Sequence, residues 1–457
     1  MCGIIAVLRG RESQETLRSE VILPRLSSAV SFLQSALESS ENVPEHITQA
    51  ANLLRGIDED LRTVPGIGML VFDRSSALAI QGETLRANNA LEAIDKHLDH
   101  LSTDLEQLNS SLLRVRDSLW AIERDHLRTA EAIIGLAGTT PDANSLPGLM
   151  SIQTALSALD RLEVRGRDSA GIEIFVANHN LPSSVLEGAR FKDPILRSGA
   201  IRDCGKHIAF VYKNAAEIGD LGDNSTAIRA AIRGDEVLQE ALLSAESTVT
   251  VLGHTRWASV GVISEANAHP VDSQETTNDD KPYVSAVLNG DIDNYMDLTE
   301  LQKLNLAPEI TTDAKIIPPL ISRQLSSTAS DLEAFRATVS TFEGSMAIAS
   351  HNAAQPHKLS LALRGSGQAI YVGIADNSFV VASEPYGVIE NASQWVRMDG
   401  EKPADPDNPI SSAGQIIQLD ATKAGDLEGI TRVAYDGTEL PVQQDEITTA
   451  DITTRDI

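Results

Sequence analysis

Residues 2–8, Cys2-Gly3-Ile4-Ile5-Ala6-Val7-Leu8, form a continuous apolar run with β-branched side chains, the pattern of a buried strand. The period then changes. From about Arg11 to Leu146 the chain is rich in Leu, Ala, Glu, Arg and Ser, and its apolar residues recur at steps of three and four. The clearest run is Leu91, Ile94, Leu98, Leu101, Leu105, Leu108, Leu112, Val115, Leu119 and Ile122. Shorter seams run through Leu26, Val30, Leu33 and Leu37 and through Ile47, Leu54, Ile57, Leu61 and Val64. These predict two helical stretches, 15–64 broken near Pro44 and 84–136, with a short β-hairpin near 66–82 between them. An inserted segment must begin and end near one place, so we expect an antiparallel helical hairpin or coiled coil about 75–80 Å long at about 1.5 Å per residue. A folded-back three- or four-helix bundle is the alternative.

Residues 135–147 have the Gly, Thr, Pro, Asp and Asn of a linker. Beyond them an amphipathic helix is expected around 152–162. Strands are expected at 171–176, 207–212, 248–253 and 284–288, and helices at 224–245, 294–306, 313–326 and 329–342. A strand-rich run follows at 345–350, 359–363, 370–374, 379–382, 416–419 and 431–435. Strands in two groups with helices outside predict layered sheets in the α+β class, not one doubly wound parallel sheet. The expected domains are 1–10 with 148–457, and 11–147 as the inserted helical arm.

Composition narrows the function. The net charge of −28 repels phosphate backbones and anionic membranes, so neither nucleic acid nor membrane is expected as a partner. Two cysteines, Cys2 and Cys204, give no disulfide framework, and the polar surroundings of Cys204 make it incidental. No apolar stretch reaches the length of a membrane span, and the seven residues after Met1 lack the basic region of a signal peptide. A cytoplasmic protein is expected. The ten histidines form no metal-ligand spacing, so no metal and no cofactor are expected.

Candidate chemistry begins at the second residue. Removal of Met1 would leave Cys2 with a free α-amine, whose pKa of roughly 7.7–8.0 lets it serve as a base for the adjacent thiol. The alternative is a small apolar residue opening a buried strand. Residues 161–171, Arg161-Leu162-Glu163-Val164-Arg165-Gly166-Arg167-Asp168-Ser169-Ala170-Gly171, read either as a salt-bridged helix end or as part of a site. In Gly253-His254-Thr255-Arg256-Trp257-Ala258-Ser259-Val260-Gly261, followed by Asn267-Ala268-His269-Pro270, an arginine at a strand end would suit a carboxylate beneath a mobile aromatic cover. Asn289-Gly290 reads as a tight turn or as an oxyanion hole built from a side-chain amide and a backbone N–H.

Together with Thr312-Asp313, these motifs resemble the class II, N-terminal-nucleophile glutamine amidotransferases, and among them the glutaminase domain of the glucosamine-6-phosphate synthases. The resemblance covers about 2–8 and 150–450 and leaves the helical arm outside. It implies a four-layer αββα sandwich. It further implies that Cys2 attacks the glutamine side-chain amide, with Asn289 and Gly290 as the oxyanion hole. Arg256 would hold the substrate carboxylate, Asp313 its ammonium, and Ser259 would keep a hydroxyl in the pocket. Trp257 would close over the γ-glutamyl thioester. Where such synthases usually carry Ala-Thr-His-Gly, this chain has Ala258-Ser259-Val260-Gly261, and valine cannot replace a histidine hydrogen bond. A sugar-phosphate isomerase half is not recognised, so fructose-6-phosphate is expected as a partner only through a further C-terminal domain of a longer enzyme. Alone, the chain is expected to turn L-glutamine into glutamate and ammonia. The arm would serve a homodimer or a partner protein. The competing readings are a glutamine-sensing or scaffold module without catalysis, and amidotransfer to another acceptor.

Overall fold

The first strand, β1 (Gly3–Arg9), is buried along its whole length, as its uninterrupted apolar run requires. In a computed structural model that describes residues 2–11, 16–38, 42–98, 105–139, 141–215, 220–276, 281–327 and 330–449, it lies inside a nine-stranded sheet. The remaining strands are β2 (Ser169–Ala177), β3 (Ile201–Asp203), β4 (His207–Asn214), β5 (Thr248–Arg256), β6 (Val271–Asp272), β7 (Val284–Gly290), β8 (Met346–Asn352), β9 (Lys358–Arg364), β10 (Tyr371–Ala375), β11 (Ser378–Ala382), β12 (Gln394–Arg397), β13 (Gln415–Asp420), β14 (Ile430–Ala434) and β15 (Ile447–Thr449). The sheet orders are β15-β12-β10-β11-β1-β5-β2-β4-β3 and β14-β13-β9-β8-β7-β6. Every strand pairing described is antiparallel. The mixture of helix and antiparallel sheet fits the α+β expectation. β3, β6, β12 and β15 escaped the sequence reading because runs of two to four residues are too short to display a period.

The chain divides into two compact units, one of residues 1–11 and 147–450 and one built on 12–146. In the first unit, Ile4, Ala6 and Leu8 of β1 share an apolar cluster with Val287, Ala347, Ala349, Leu361 and Leu363 of the second sheet. The alternate residues Ala286, Leu288, Ile348 and Ala362 meet Ile317, Ile321, Phe335 and Val339, which lie in the helical segments 317–325 and 331–339. On the nine-stranded sheet, Leu159 of the helix Leu146–Leu162 covers Gly253 of β5, where a Cβ would come within 3.4 Å of it. The two-residue period of the strands thus sends one set of side chains between the sheets and the other toward helices.

The second unit corrects two expectations. Its helices are α1 (Ser19–Glu38), α2 (Val43–Leu61), α3 (Val64–Phe72), α4 (Arg74–Leu98), α5 (Leu105–Trp120) and α6 (Arg128–Ala137), the last two joined by a π-helical stretch, Ala121–Leu127. α1 packs on α2 and α4, and α2 packs on α5, so the segment folds back as a bundle and not as a 75–80 Å hairpin. The reversal falls where Asn42 takes a left-handed φ of 65° and Pro44 lies in the first turn of α2. Among the described residues the longest unbroken helical run, 105–137, spans only about 50 Å at about 1.5 Å per residue. The predicted hairpin near 66–82 is helix as well. Thr63 accepts the Gly66 N–H as an N-cap, and Asp73 accepts the Ser76 N–H to restart the chain as α4. A short apolar run carries no period of its own, and these caps decide its form. Of the leucine seam, Leu91, Ile94, Leu108, Leu112, Val115, Leu119 and Ile122 are buried, while Leu101 lies outside the described residues. His126, in the π-helical stretch, meets Asp58 at 2.7 Å, and Arg62 meets the same carboxylate at 2.8 Å. Among the described residues no helix is long and apolar enough to cross a membrane.

Away from the apolar cluster, the β2, β4 and β6 side of the first unit is polar inside. Asp272 bridges Arg202 and Lys315 at 2.8 and 2.9 Å, and Glu173 accepts from Tyr283 and Ser285. Lys213, opposite Gly171 in the β2–β4 register, is buried with no hydrogen-bond partner for its Nζ. Burial pulls its pKa down to about 7, with the neighbouring Asp272 working the other way. A lysine whose folded pKa lies below its ordinary value destabilises the fold as pH falls from 10.5 toward 7. Lys213→Met is therefore expected to raise the urea midpoint at pH 6 and to change it little at pH 10. Gly171→Ala should act oppositely at any pH, because its methyl would stand 2.2 Å from the His269 carbonyl oxygen. We expect a loss of about 1–3 kcal/mol in the same titration.

Candidate active site

The β1–β5 register sets Gly3 opposite Thr255 and so brings Cys2 level with Arg256 at the end of β5. Strand alternation puts Cys2 on the face of Ile4 and Ala6, directed between the sheets. The Trp257 N–H donates to the Cys2 Sγ at 3.2 Å. Gly3 has no room for a side chain: a Cβ there would lie 2.7 Å from both Leu162 Cβ and Thr255 Oγ1. Burial pushes the Cys2 thiol pKa up, while the Trp257 N–H and the Arg256 charge oppose that shift.

The second sheet supplies Asn289 and Gly290 at the end of β7. Asn289 donates from Nδ2 to the Cys2 carbonyl oxygen at 3.1 Å. Its Oδ1 lies 3.0 Å from Nε2 of His254, which also lies 2.9 Å from the Leu288 carbonyl. A carbonyl can only accept, so that nitrogen carries the proton, and the amide is oriented with oxygen to His254 and NH2 toward Cys2. Gly290 has φ 91°, and a Cβ on it would stand 2.0 Å from the Ser345 carbonyl oxygen, so only glycine fits.

Arg256 is almost fully buried, and its guanidinium donates to the carbonyls of Val262, at 3.3 Å, and of Val260. Burial lowers its pKa from the ordinary arginine range, offset in part by Cys2, Asp313 and Asp168. Trp257 beside it is 58% exposed. Ser259 turns its hydroxyl to Asp291 Oδ1 at 2.8 Å, and Val260 faces Arg256 with its backbone. Asp313 accepts from the backbone N–H groups of Ile292 and Ala314 at 2.8 and 3.0 Å. Burial raises its pKa, with the Ile292 N–H pulling it back. Cys2, Arg256, Trp257 and Asn289 therefore meet at adjoining strand ends, and Asp313 stands within electrostatic reach of Arg256.

Several contributors stood in the sequence motifs without a role assigned to them. Asn267 pins the loop after Trp257 to the segment before Asp313. Its Nδ2 donates to Val262 O at 3.1 Å, and its Oδ1 accepts from Thr311 and Thr312 N–H at 2.7 and 3.0 Å. Asp168 accepts the Ala258 N–H at 2.8 Å and fixes the start of that loop. Three other charges of 161–168 make structural contacts: Arg161 pairs with Glu390, Arg165 with Glu384, and Glu163 holds Gly222 N and Asn224 Nδ2. Asn267, Asp168 and His254 all lay inside quoted motifs, but a motif does not say which atom each residue holds.

No protein-family model matches the chain. A glutamine--fructose-6-phosphate aminotransferase [isomerizing] of Bacillus cereus is 30% identical over 247 residues, covering 53% of this chain and 32% of that protein. Its namesake in Bacillus licheniformis is 29% identical over 278 residues, covering 58% and 37%. The chain thus spans about a third of the length of the curated relatives it matches. Among solved structures, the glutamine phosphoribosylpyrophosphate amidotransferase of B. subtilis complexed with ADP and GMP aligns with a TM-score of 0.38 at 15% identity, over 62% of this chain and 47% of that one. An allosteric regulatory enzyme of purine biosynthesis aligns with a TM-score of 0.39 at 16% identity, over 62% and 46%. In sequence, then, this chain is similar over about half its length to the glutamine--fructose-6-phosphate aminotransferases, in line with the resemblance to class II glutamine amidotransferases that its motifs carry.

Proposed function

We propose that the first unit is a glutamine amidotransferase domain, a four-layer αββα sandwich that hydrolyses L-glutamine through a γ-glutamyl thioester on Cys2. The observation that carries the reading is the Asn289 amide, 3.1 Å from the Cys2 carbonyl, beside a sulfur that already accepts the Trp257 N–H. After removal of Met1, the Cys2 α-amine takes the thiol proton as sulfur bonds to the glutamine Cδ. The C–N bond breaks, and that proton leaves on ammonia. Water then cleaves the thioester, giving glutamate and restoring the thiol. The Asn289 NH2 and the Gly290 N–H stabilise the oxyanion of each tetrahedral intermediate.

Arg256 would take the substrate carboxylate and Asp313 the ammonium, each charge meeting its opposite. Ser259 would line the pocket, and Trp257 would cover the thioester until ammonia has left. Fructose-6-phosphate as acceptor, a cytoplasmic setting and a homodimer or partner protein held by the helical bundle belong to the same proposal. A second reading, a glutamine sensor without turnover, finds support in Val260 and in the raised thiol pKa.

Glutaminase activity is expected from protein whose N-terminal mass shows Met1 removed, and background activity from Cys2→Ala. Full activity with Met1 attached would defeat the α-amine mechanism, while glutamine binding without turnover by the processed protein would favour the sensor. Asp313→Asn should raise KM more than it lowers kcat, because it weakens a contact made equally in the ground and transition states. In unprocessed protein carrying Cys204→Ser, alkylation of Cys2 by iodoacetamide should have its pH midpoint above the ordinary value of 9.0, since burial disfavours the thiolate.

A further inference from the structure

Behind the site, two buried imidazoles pack together, His254 of β5 and His269 just before β6, with ring centroids 4.4 Å apart and planes tilted by 34°. They grip the two backbone groups of one residue. His254 Nε2 donates to the Leu288 carbonyl at 2.9 Å, and the Leu288 N–H donates to His269 Nδ1 at 3.4 Å. An N–H can only donate, so His269 Nδ1 is the bare nitrogen and its Nε2 carries the proton. That Nε2 points to Thr312 Oγ1 at 3.2 Å, leaving the Thr312 hydroxyl to donate to Asp313 Oδ1 at 3.4 Å. His254 Nε2 also reaches Asn289 Oδ1 at 3.0 Å. Each ring thus holds Leu288 with one contact and a polar group of the site with another.

We propose that His254 and His269 act as paired positioning residues, His254 orienting the Asn289 amide toward the oxyanion and His269 orienting Thr312 and through it Asp313. The inference rests on the glutaminase reading for its kinetic meaning but not for its geometry. Each ring has one role open to it. The Nε2–H tautomer is dictated in both by Leu288, whose carbonyl and N–H admit no exchange of donor and acceptor. A doubly protonated His269 would turn a proton onto the Leu288 N–H, and burial of both rings pulls their pKa values down, to about 3 for His254 and well below the ordinary range for His269. Around the pair, Arg256 opposes protonation of either ring, as does Lys213 for His269, while Asn289 favours a charge on His254. The pair therefore works as two neutral hydrogen-bond relays and not as an acid or base. The two arms differ in reach: His254 touches the oxyanion amide directly, whereas His269 acts through a hydroxyl and a longer bond.

The kinetic signatures should split accordingly. An amide that stabilises charge only in the transition state affects kcat, and an ammonium contact made throughout affects KM. His254→Phe is expected to lower glutaminase kcat by about 10–100-fold, below the loss from deleting an oxyanion donor outright, with KM within about threefold. His269→Phe should raise KM by about three- to tenfold with kcat nearly unchanged. His254→Gln, which keeps an N–H near the same place, should recover part of kcat. Equal effects of the two phenylalanine variants on kcat and KM, or no recovery with glutamine, would overturn the assignment. The geometry is tested in the unmutated protein by nitrogen-15 NMR: both rings should remain Nε2–H tautomers from pH 5 to 9, and the Asn289 side-chain amide should give two separate proton signals that broaden in His254→Gln. A tautomer change in either ring within that range would sink the proposal even if the variants are slow. Absence of glutaminase activity in processed wild-type protein alongside the expected spectra would instead count against the functional reading, and the geometric assignment would stand.

Discussion

The antiparallel pairing of β1 with β5 is the constraint on which the site depends. It places Cys2 beside Arg256 with the Trp257 N–H on its sulfur, and the burial of β1 between β11 and β5 removes any freedom for that placement to drift. Gly3 shows how tight the fit is, since an added methyl would meet Leu162 and Thr255 at 2.7 Å. The second sheet joins the site because the inter-sheet cluster of Ile4, Ala6 and Leu8 with Val287 fixes β1 against β7. Asn289, two residues beyond Val287 on the same strand face, then arrives beside Cys2 as a consequence of apolar packing. The apolar core positions the polar groups, so a core substitution at Val287 would be felt in the chemistry as well as in stability.

Burial between the sheets also sets protonation. The interior disfavours charge on Cys2, Asp313, Arg256 and His254 alike, and each is compensated by a different device. Asp313 receives two backbone N–H groups, Arg256 receives carbonyls and nearby carboxylates, and His254 avoids charge by binding two acceptors with one N–H. The Lys213 Nζ has no hydrogen-bond partner among the described residues, and its pKa is drawn down to about 7. One low-dielectric space therefore contains groups held charged and groups held neutral, and the separation is made by local donors and acceptors. A uniform polarity could not have produced it.

Much of this was legible in the chain. The strand at 2–8 and the main strands follow from patterns several residues long, and the approach of Cys2, Arg256, Trp257 and Asn289 was implied by the resemblance their motifs carry. What escaped was of two kinds. The short strands β3, β6, β12 and β15 carry too few residues for a period, and the 66–82 stretch, expected as a hairpin, is helix because Thr63 and Asp73 cap it. The leucine seams identified helices correctly but said nothing of their direction. The break near Pro44 was expected, but not that the chain folds back there between α1 and α2. In the site, Asn267, His254 and His269 could be quoted but not assigned, because their roles depend on carbonyls and N–H groups brought in from Val262, Leu288 and Thr311. Sequence spacing names side chains; the partners that define these three are backbone atoms.

The insertion is tolerated for a related reason. The chain leaves β1 at Arg9, and Arg9 Nε donates to Ser151 Oγ in the helix on which the chain resumes. This hydrogen bond joins exit and return inside the first unit. Lengthening a closed segment adds loop entropy only logarithmically, by about 0.6 kcal/mol for each doubling. A segment with a buried seam of its own, such as Leu108, Leu112, Val115 and Leu119, offsets that small cost by folding on itself. The small closure cost and a seam of its own together account for so long a segment standing between β1 and the helix Leu146–Leu162.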